Sequence, residues 1–324
     1  MVIFGGGCVD GAEEARAFLR KSGAIAVTTT AGKGVIADSD PATLSSSLWS
    51  DATQNALADA DLVIAVATEL AETDHWSRSL TLRGKLIRID LDAPTLTRDY
   101  PPTVGLLADA GPALAALTQR IRAGRKPDAA RIAAIRAANA EDLTPLERKH
   151  VAVLDAVRAA LPMDGQVFTD MTQIAYTANF YFPCEVPRRW FHPLGFGTLG
   201  YAMPAAIGGK IACPDRATIA TVGDGGFLFT MQELGTAVEL GLPLPILVWN
   251  NDAFGQIAKG MNSRDIPELG VRQRNPDYLA LAHAFGAAAV RPDSLEALTH
   301  SITAAFEADG PTLIEVREDA AFLP

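Results

Sequence analysis

Short apolar runs alternate with helical stretches along most of the chain, and this alternation constrains the fold more than any other feature of the sequence. Strands that are buried on both faces read as continuous apolar runs, and a helix between two strands returns the chain to the same end of a sheet. The pattern therefore predicts parallel sheets with helices on both faces. In the first third of the chain the predicted strands are Val2–Phe4, Ala24–Thr28, Leu62–Ala67 and Lys85–Leu91, with helices that include Ala12–Lys21 and Asp109–Ala123.

A second alternating series fills the C-terminal half. Between the two series lies an Ala- and Arg-rich stretch without a strand signal, which predicts an exposed linker with one helix. We therefore predict two open, mostly parallel α/β domains in tandem, over residues 1–124 and 151–324, joined by a linker over 125–150. The strands predicted for the second domain are Val167–Asp170, Thr218–Val222, Pro245–Asn250, Ala287–Val290 and Leu313–Val316, and its helices include Val151–Ala160, Pro204–Ile211, Leu228–Leu240, Pro276–Ala284 and Leu295–Ala308.

Composition and charge exclude several classes of protein. The formal net charge is −10 and no basic run is long enough to follow a phosphate backbone, which argues against nucleic-acid binding. No run of about 18 apolar residues is present, and the N-terminus lacks the charged and apolar regions of a secretory signal. The three cysteines are far apart, so neither a disulfide framework nor a CxxC metal site is expected. These features predict a cytoplasmic protein that binds neither nucleic acid nor membranes.

The segment Val222–Gly226 combines a strand end, a glycine-rich turn and a helix start. Glycines let the backbone approach a ligand closely, and the N–H groups at a helix N-terminus can bind phosphate. Asp224 lies among these glycines, and its carboxylate would repel a phosphate unless a cation lay between them. Mg²⁺ is commonly held by one or two carboxylates together with the phosphates of a ligand. The segment therefore predicts a phosphate site bridged by Mg²⁺.

Asn250 and Asn251 end the next predicted strand, one helix and a short turn after Asp224. Such a crossover brings Asp224 and Asn251 to the carboxyl ends of two parallel strands. Neighbouring strands lie about 4.8 Å apart, so one ion could contact both side chains. Taken alone, the first segment reads as a tight turn and the second as a strand terminator. Their combination at the ligand-binding edge of a sheet favours the metal site.

Together these segments resemble the cofactor motif of thiamine diphosphate enzymes, in which Gly-Asp-Gly is followed by Asn-Asn after a crossover. The resemblance implies that Asp224, the Asn251 amide oxygen and the Ala253 carbonyl bind Mg²⁺. It also implies that residues of the same two turns bind the cofactor, namely Gly223, Gly225, Gly226, Phe254 and Gly255.

A third segment extends the resemblance. Gly195–Gly208 is similar to the stretch that precedes this motif in acetolactate synthases and related 2-oxo acid decarboxylases. The resemblance implies that Leu199 bends the cofactor and that the Gly197 carbonyl holds the exocyclic nitrogen of its aminopyrimidine ring. Thr198 would contribute to the same cofactor site.

A fourth segment matches the other diphosphate-binding turn of the family. Thr172 and Gln173 follow the predicted strand that ends at Asp170, and by resemblance they would donate to phosphate oxygens. The synthases commonly carry a histidine where this chain has Ile174. That departure argues against acetolactate synthase itself.

The N-terminal half resembles the central domain of the same family, with Thr29–Gly34 as its usual loop. Gly5–Gly11 looks like a dinucleotide fingerprint, but Asp10 stands where the third glycine would fall. The synthases hold FAD in this domain with an Arg-containing segment, whereas this chain has Ala67–Leu70 there. We therefore expect neither a nicotinamide cofactor nor FAD.

The resemblance implies a thiamine diphosphate- and Mg²⁺-dependent decarboxylase or carboligase that acts on a small 2-oxo acid. Within the family, Phe196–Ile207 and Trp249–Gly255 look closer to 5-guanidino-2-oxopentanoate decarboxylases than to acetolactate synthases. His192, just before the Leu199 turn, reads either as a structural histidine or as a residue that faces the substrate.

Family enzymes carry a further pyrimidine-binding domain, whose Glu activates the cofactor by protonating the aminopyrimidine ring. No part of this chain resembles that domain, so the catalytic residue stays unknown. We expect a homo-oligomer, a partner chain that supplies the pyrimidine domain, or both. Two other hypotheses stay open: a non-catalytic cofactor-binding subunit or fragment of such an enzyme, and a nicotinamide-dependent oxidoreductase.

Overall fold

A computed structural model describes residues 1–124, 126–141 and 143–324. It contains two compact units, one formed by Met1–Leu143 with Pro183–Arg189 and the other by Thr144–Phe182 with Trp190–Pro324. Within the described part of the chain, no helix combines the length and apolar character that crossing a bilayer requires.

The first unit contains a five-stranded parallel sheet: β1 (Val2–Phe4), β2 (Ala26–Thr28), β3 (Leu62–Val66), β4 (Lys85–Asp90) and β5 (Val104–Leu107). The strands lie in the order β2-β1-β3-β4-β5. Its helices are α1 (Ala12–Ser22), α2 (Asp51–Ala58), α3 (Glu72–His75), α4 (Ala93–Thr97), α5 (Ala110–Arg120) and α6 (Ala129–Glu141), with a short 3-10 turn at Gly6–Cys8.

Both faces of this sheet are covered, as the burial of successive strand residues shows. Successive residues of a strand point to opposite faces of the sheet. In β1, Val2 and Phe4 belong to a buried cluster that includes Phe18 of α1. Ile3, between them, belongs to a second cluster that includes Leu57 of α2. A strand that is apolar at every position is therefore buried on both sides.

The range 125–150, predicted to be a linker, contains helical structure. Residues 125 and 142 lie outside the described residues. Ile132 and Ile135 of α6 are buried in the second cluster of the first unit. The following helix begins at Pro145, where Thr144 and Glu147 form a capping box.

The second unit contains a six-stranded parallel sheet: β6 (Gln166–Thr169), β7 (Trp190–Phe191), β8 (Thr218–Gly223), β9 (Pro245–Asn250), β10 (Ala288–Val290) and β11 (Thr312–Arg317). The strands lie in the order β10-β11-β9-β8-β6-β7. Its helices are α7 (Pro145–Ala160), α8 (Gln173–Tyr181), α9 (Ala202–Ala212), α10 (Asp224–Thr230), α11 (Glu233–Glu239), α12 (Gly255–Asn262), α13 (Tyr278–Phe285) and α14 (Leu295–Ala305).

The topology of the second unit places β8 directly beside β9, with Gly223 next to Trp249. On one face of the sheet, Val222, Val248 and Leu313 are buried with residues of α9, α10, α11 and α13. Both units are thus open parallel α/β sheets, and the predicted fold class is confirmed.

The connection between β8 and β9 corrects one expectation. The sequence predicts a single helix over Leu228–Leu240, which is wrong, because the chain forms α10 and α11 instead. At Met231 the backbone carbonyl accepts from the N–H of Leu234, a three-residue bond that tightens the turn between the two helices. Phe227 and Leu234 nevertheless remain in one buried cluster.

Candidate cofactor and metal site

A cavity of about 280 Å³ lies at the carboxyl ends of β6, β8 and β9. Open parallel sheets bind ligands at this edge, because strand ends and helix N-termini meet there. The turns after these three strands form its walls, together with the segment that precedes α9. Its lining residues are Met171, Thr172, Gln173, Tyr176, Gly197, Leu199, Gly223, Asp224, Gly225, Gly226, Asn251, Ala253, Phe254, Gly255, Gln256 and Ile257.

The three residues predicted to bind Mg²⁺ converge in this cavity. The backbone N–H of Ala253 lies 3.3 Å from Asp224 Oδ2 and 3.2 Å from Asn251 Oδ1. One amide thus brings together side-chain oxygens from the ends of two neighbouring strands. A carboxylate, an amide oxygen and a backbone carbonyl are all oxygen donors, which Mg²⁺ prefers.

Asp224 is buried at the N-terminus of α10, and its carboxylate is well supplied with donors. Oδ1 accepts from the N–H of Gly225 at 2.9 Å, and Oδ2 accepts from Asn275 Nδ2 at 2.8 Å. Burial raises the pKa of this carboxyl, and the hydrogen bonds from Asn275, Gly225 and Ala253 oppose that rise. Tyr278 Oη donates to the Asp224 carbonyl at 3.0 Å, which fixes the backbone as well.

The amide of Asn251 is oriented by its neighbours. Its Nδ2 donates to Gln173 Oε1 at 3.0 Å and to Glu318 Oε2 at 3.3 Å. Because an ionised carboxylate only accepts hydrogen bonds, the nitrogen must face Glu318. The oxygen of the amide is therefore the atom that accepts from the Ala253 N–H, and it is the atom that a metal ion would bind.

Several glycines of the cavity wall lie in close contact with neighbouring side chains. A Cβ built on Gly226 would lie 2.2 Å from Asp170 Oδ2, and one on Gly225 would lie 2.6 Å from both Phe254 and Gln273. A Cβ on Gly255 would lie 2.6 Å from Asn251 Nδ2. These positions therefore need glycine because any side chain would collide with neighbouring groups of the protein.

Asp170 organises the wall that carries Leu199. Its side chain is fully buried and accepts from the N–H groups of Gly200 at 2.8 Å and Tyr201 at 2.9 Å. Gly200 has a φ of 81°, a left-handed conformation that favours glycine. The turn after β6 thus holds the segment before α9 in place.

Nearly all predicted site residues line this one cavity. Thr198 is the exception: it is exposed, and its hydroxyl lies 3.1 Å from the Leu199 carbonyl. The cofactor and metal roles of all these residues stay predictions.

Several residues at the site were not predicted. Met171, Gln256 and Ile257 flank predicted residues, so longer segments would have included them. Tyr176 lies one helical turn after Thr172, and the 3.6-residue period could have found it. Asn275 carries no sequence signal, because it is 51 residues from Asp224 along the chain.

His192 lies beside the site without lining the cavity. Its Nδ1 is 2.7 Å from Thr169 Oγ1, and its ring packs edge-on against Tyr176 at 6.3 Å between centroids. Burial lowers its pKa to about 4, so the ring is neutral at physiological pH. These contacts fit the structural reading of this histidine.

The candidate metal site differs from a cluster of ionisable ligands. Among the described residues, no group of three or more His, Cys, Asp or Glu side chains could hold a metal ion. The set of ligands predicted at Asp224 contains one carboxylate and two neutral oxygens. Such a set suits a cation whose remaining charge is balanced by a phosphate ligand.

The glycines in the turn after β1 pack closely against neighbouring loops of the first unit. A Cβ on Gly5 would lie 2.1 Å from the Ala67 carbonyl oxygen, and one on Gly6 would lie 2.9 Å from the Ala31 side chain. The glycines after β1 are thus explained by close approach to neighbouring loops.

Comparisons with known proteins identify two domains of one enzyme family in the chain. Residues 1–117 match the profile of the thiamine pyrophosphate enzyme central domain, and residues 170–316 match that of the C-terminal TPP binding domain. The chain is 45% identical to the probable 2-ketoarginine decarboxylase AruI of Pseudomonas aeruginosa, over 99% of this chain and 58% of that protein.

Two further relatives are more distant. A sulfoacetaldehyde acetyltransferase of Castellaniella defragrans is 30% identical over 98% of this chain and 60% of its own length. The acetolactate synthase large subunit of Parasynechococcus marenigrum is 29% identical over 98% and 53%. The chain therefore spans between about half and three-fifths of these relatives. With central and C-terminal domains both matched, it belongs to the thiamine pyrophosphate enzyme family.

Proposed function

We propose that this chain binds thiamine diphosphate through Mg²⁺ and forms the cofactor-binding part of a 2-oxo acid decarboxylase. The observation that carries the proposal is the convergence of Asp224 Oδ2 and Asn251 Oδ1 on the N–H of Ala253. These oxygens line a cavity of about 280 Å³ that is also lined by the polar residues Thr172 and Gln173. A metal bound to a diphosphate fits both features.

Each wall of the cavity has a role in this proposal. Asp224, Asn251 and the Ala253 carbonyl would hold Mg²⁺, while Thr172 and Gln173 would bind the diphosphate. Leu199, held in place through Asp170, would orient the rings of the cofactor. When bound, thiamine diphosphate supplies the electron sink that allows a 2-oxo acid to lose CO₂.

The substrate that we propose is a 2-oxo acid with a cationic side chain, such as 2-ketoarginine. Support comes from the 45% identity to the probable 2-ketoarginine decarboxylase, compared with 29–30% for the acetyltransferase and the acetolactate synthase. Decarboxylation without transfer to a second carbonyl is the corresponding reaction.

We further propose that the acid that activates the cofactor lies outside these 324 residues, in a preceding segment or in a separate chain. Among the described residues that line the cavity, Asp224 is the sole carboxylate, and the proposal uses it for the metal. The matched relatives are also much longer than this chain.

Isothermal titration calorimetry tests cofactor binding directly. Thiamine diphosphate is titrated into the full chain with Mg²⁺ and, separately, with EDTA. We expect saturable binding that requires the metal and that Asp224→Asn weakens by at least about tenfold, because it removes the anionic ligand. Asp215→Asn, a change at an exposed position of the same unit, should bind as the wild type does. Metal-independent binding, or equal binding by Asp224→Asn, would contradict the proposal.

A further inference from the structure

We propose that Asn275 is a positioning residue that holds the Asp224 carboxylate in the orientation needed for metal binding. The inference rests on the proposed function, because it assigns Asp224 to Mg²⁺. Asn275 belongs to none of the predicted motifs, and its role follows from the contacts of its side-chain amide.

The backbone around Asn275 is anchored to the metal-binding turn. Ala253 and Arg272 form an antiparallel bridge, and the N–H of Gln273 donates to the Asp252 carbonyl at 2.9 Å. Just after Asn275, the Asp277 side chain caps the N-terminus of α13. Asn275 is therefore held between a short ladder and a capped helix, which favours a fixed side-chain position.

The amide nitrogen of Asn275 lies among three oxygens. It is 2.8 Å from Asp224 Oδ2, 3.0 Å from Asn250 Oδ1 and 3.2 Å from Asp252 Oδ1. The opposite orientation of the amide would place Oδ1 against these three acceptors. The nitrogen is thus the atom that must face Asp224.

A chain of donors and acceptors fixes this orientation from the edge of the sheet inward. Arg291 donates to Glu315 Oε2, and the buried Glu315 carboxylate accepts from Asn250 Nδ2 at 2.7 Å. Because Glu315 only accepts, Asn250 must turn its oxygen toward Asn275. Asn275 must then turn its nitrogen toward Asn250 and Asp224. Every amide in the series therefore has one favourable orientation.

A neutral donor suits this position better than a cation. The amide separates the carboxylates of Asp224 and Asp252 without adding positive charge beside the metal site. Asp252 already pairs with Arg317 at 2.9 Å, whereas no ion pair to Asp224 is found in the described part of the chain. The charge of Asp224 therefore stays available to a bound cation.

The test uses Mn²⁺ as the metal probe, with the full chain and a fixed excess of thiamine diphosphate. Electron paramagnetic resonance reports free Mn²⁺, which yields its affinity, and the line shape of the bound ion, which reports its coordination. Asn275→Leu removes the donor while keeping the branching and the number of heavy atoms of the side chain. Asn262→Leu is the matched control, because Asn262 Nδ2 also lies 2.8 Å from a carboxylate oxygen, but on the exposed surface at Glu268.

We expect Asn275→Leu to weaken Mn²⁺ binding by about tenfold or more and to change the line shape of the bound ion. Asn262→Leu should match the wild type in both measurements. If Asn275→Leu does not fold by circular dichroism, Asn275→Ser replaces it, since the shorter hydroxyl cannot reach Asp224. If either folded Asn275 variant binds Mn²⁺ within about twofold of the wild type, with an unchanged line shape, this inference alone is overturned. Absence of metal binding by the wild type overturns the proposed function and this inference together.

Discussion

The glycines of the site show how strongly individual residues are constrained. Gly226 lies in α10, and a Cβ there would fall 2.2 Å from Asp170 Oδ2, an atom that two backbone N–H groups hold in place. Gly208 lies in α9, and a Cβ built there would have no atom within 4 Å apart from its chain neighbours and the nearby backbone of the same helix. Packing therefore requires glycine at Gly226, whereas at Gly208 only helix propensity distinguishes glycine from alanine.

This contrast predicts opposite effects of the same substitution. Gly226→Ala should lower the free energy of unfolding by about 1–3 kcal/mol, because the methyl group overpacks a buried hydrogen-bonded carboxylate. Gly208→Ala should raise it by about 0.5–1 kcal/mol, because alanine favours the helix and glycine does not. Urea unfolding followed by circular dichroism measures both. Equal effects of the two variants would contradict this account.

At the scale of elements, α7, α8 and β9 meet at a buried histidine. His150 of α7 is 1% exposed; its Nδ1 lies 2.8 Å from Thr177 Oγ1 of α8, and its ring packs edge-on against Trp249 of β9. Burial lowers the pKa of His150 from 6.5 to about 3. The packing of these elements therefore depends on a neutral ring.

Stability should consequently fall on acidification. Below pH 6.5 the unfolded chain binds a proton at His150 that the folded protein does not bind. The contribution of this group to the free energy of unfolding is therefore fully present above pH 6.5 and is lost as the pH falls toward 3. Between pH 7.5 and 5 this group alone should cost about 2 kcal/mol.

His150→Asn keeps an amide near Thr177 and cannot titrate, so its free energy of unfolding should fall less over that pH range. His283→Asn, at an exposed position, should retain the pH dependence of the wild type. Urea unfolding at a series of pH values measures these slopes. A wild-type slope in His150→Asn would show that this histidine does not control the acid transition.

The elements themselves were largely predictable, and the exceptions have physical causes. The wholly buried strands of both units read directly as apolar runs, as at Pro245–Asn250. The edge strands Val104–Leu107 and Trp190–Phe191 escaped prediction, because an exposed or two-residue strand has no comparable pattern. The break at Met231 also escaped it, since residues on both sides keep one helical period.

For the whole molecule, the proposal that the activating acid lies elsewhere yields a prediction about turnover. The purified chain should bind thiamine diphosphate and Mg²⁺ yet release no CO₂ from 2-ketoarginine. Addition of a polypeptide that corresponds to the part of its relatives that this chain does not match should produce turnover. A coupled assay for CO₂ release measures this, with Asp224→Asn as the inactive control. Turnover by the chain alone would place the activating group within these 324 residues.

The sequence by itself determined the fold class, the family and most of the residues that line the cavity. It could do so because buried parallel strands, glycine turns and the Asp224 and Asn251 motif are local patterns that read in order along the chain. Only the tertiary structure decided the contacts of Asn275 and Asp170, which reach Asp224 and Gly200 across 51 and 30 residues. Side-chain hydrogen bonds between segments that are distant along the chain depend on strand order and register, so no local pattern specifies them.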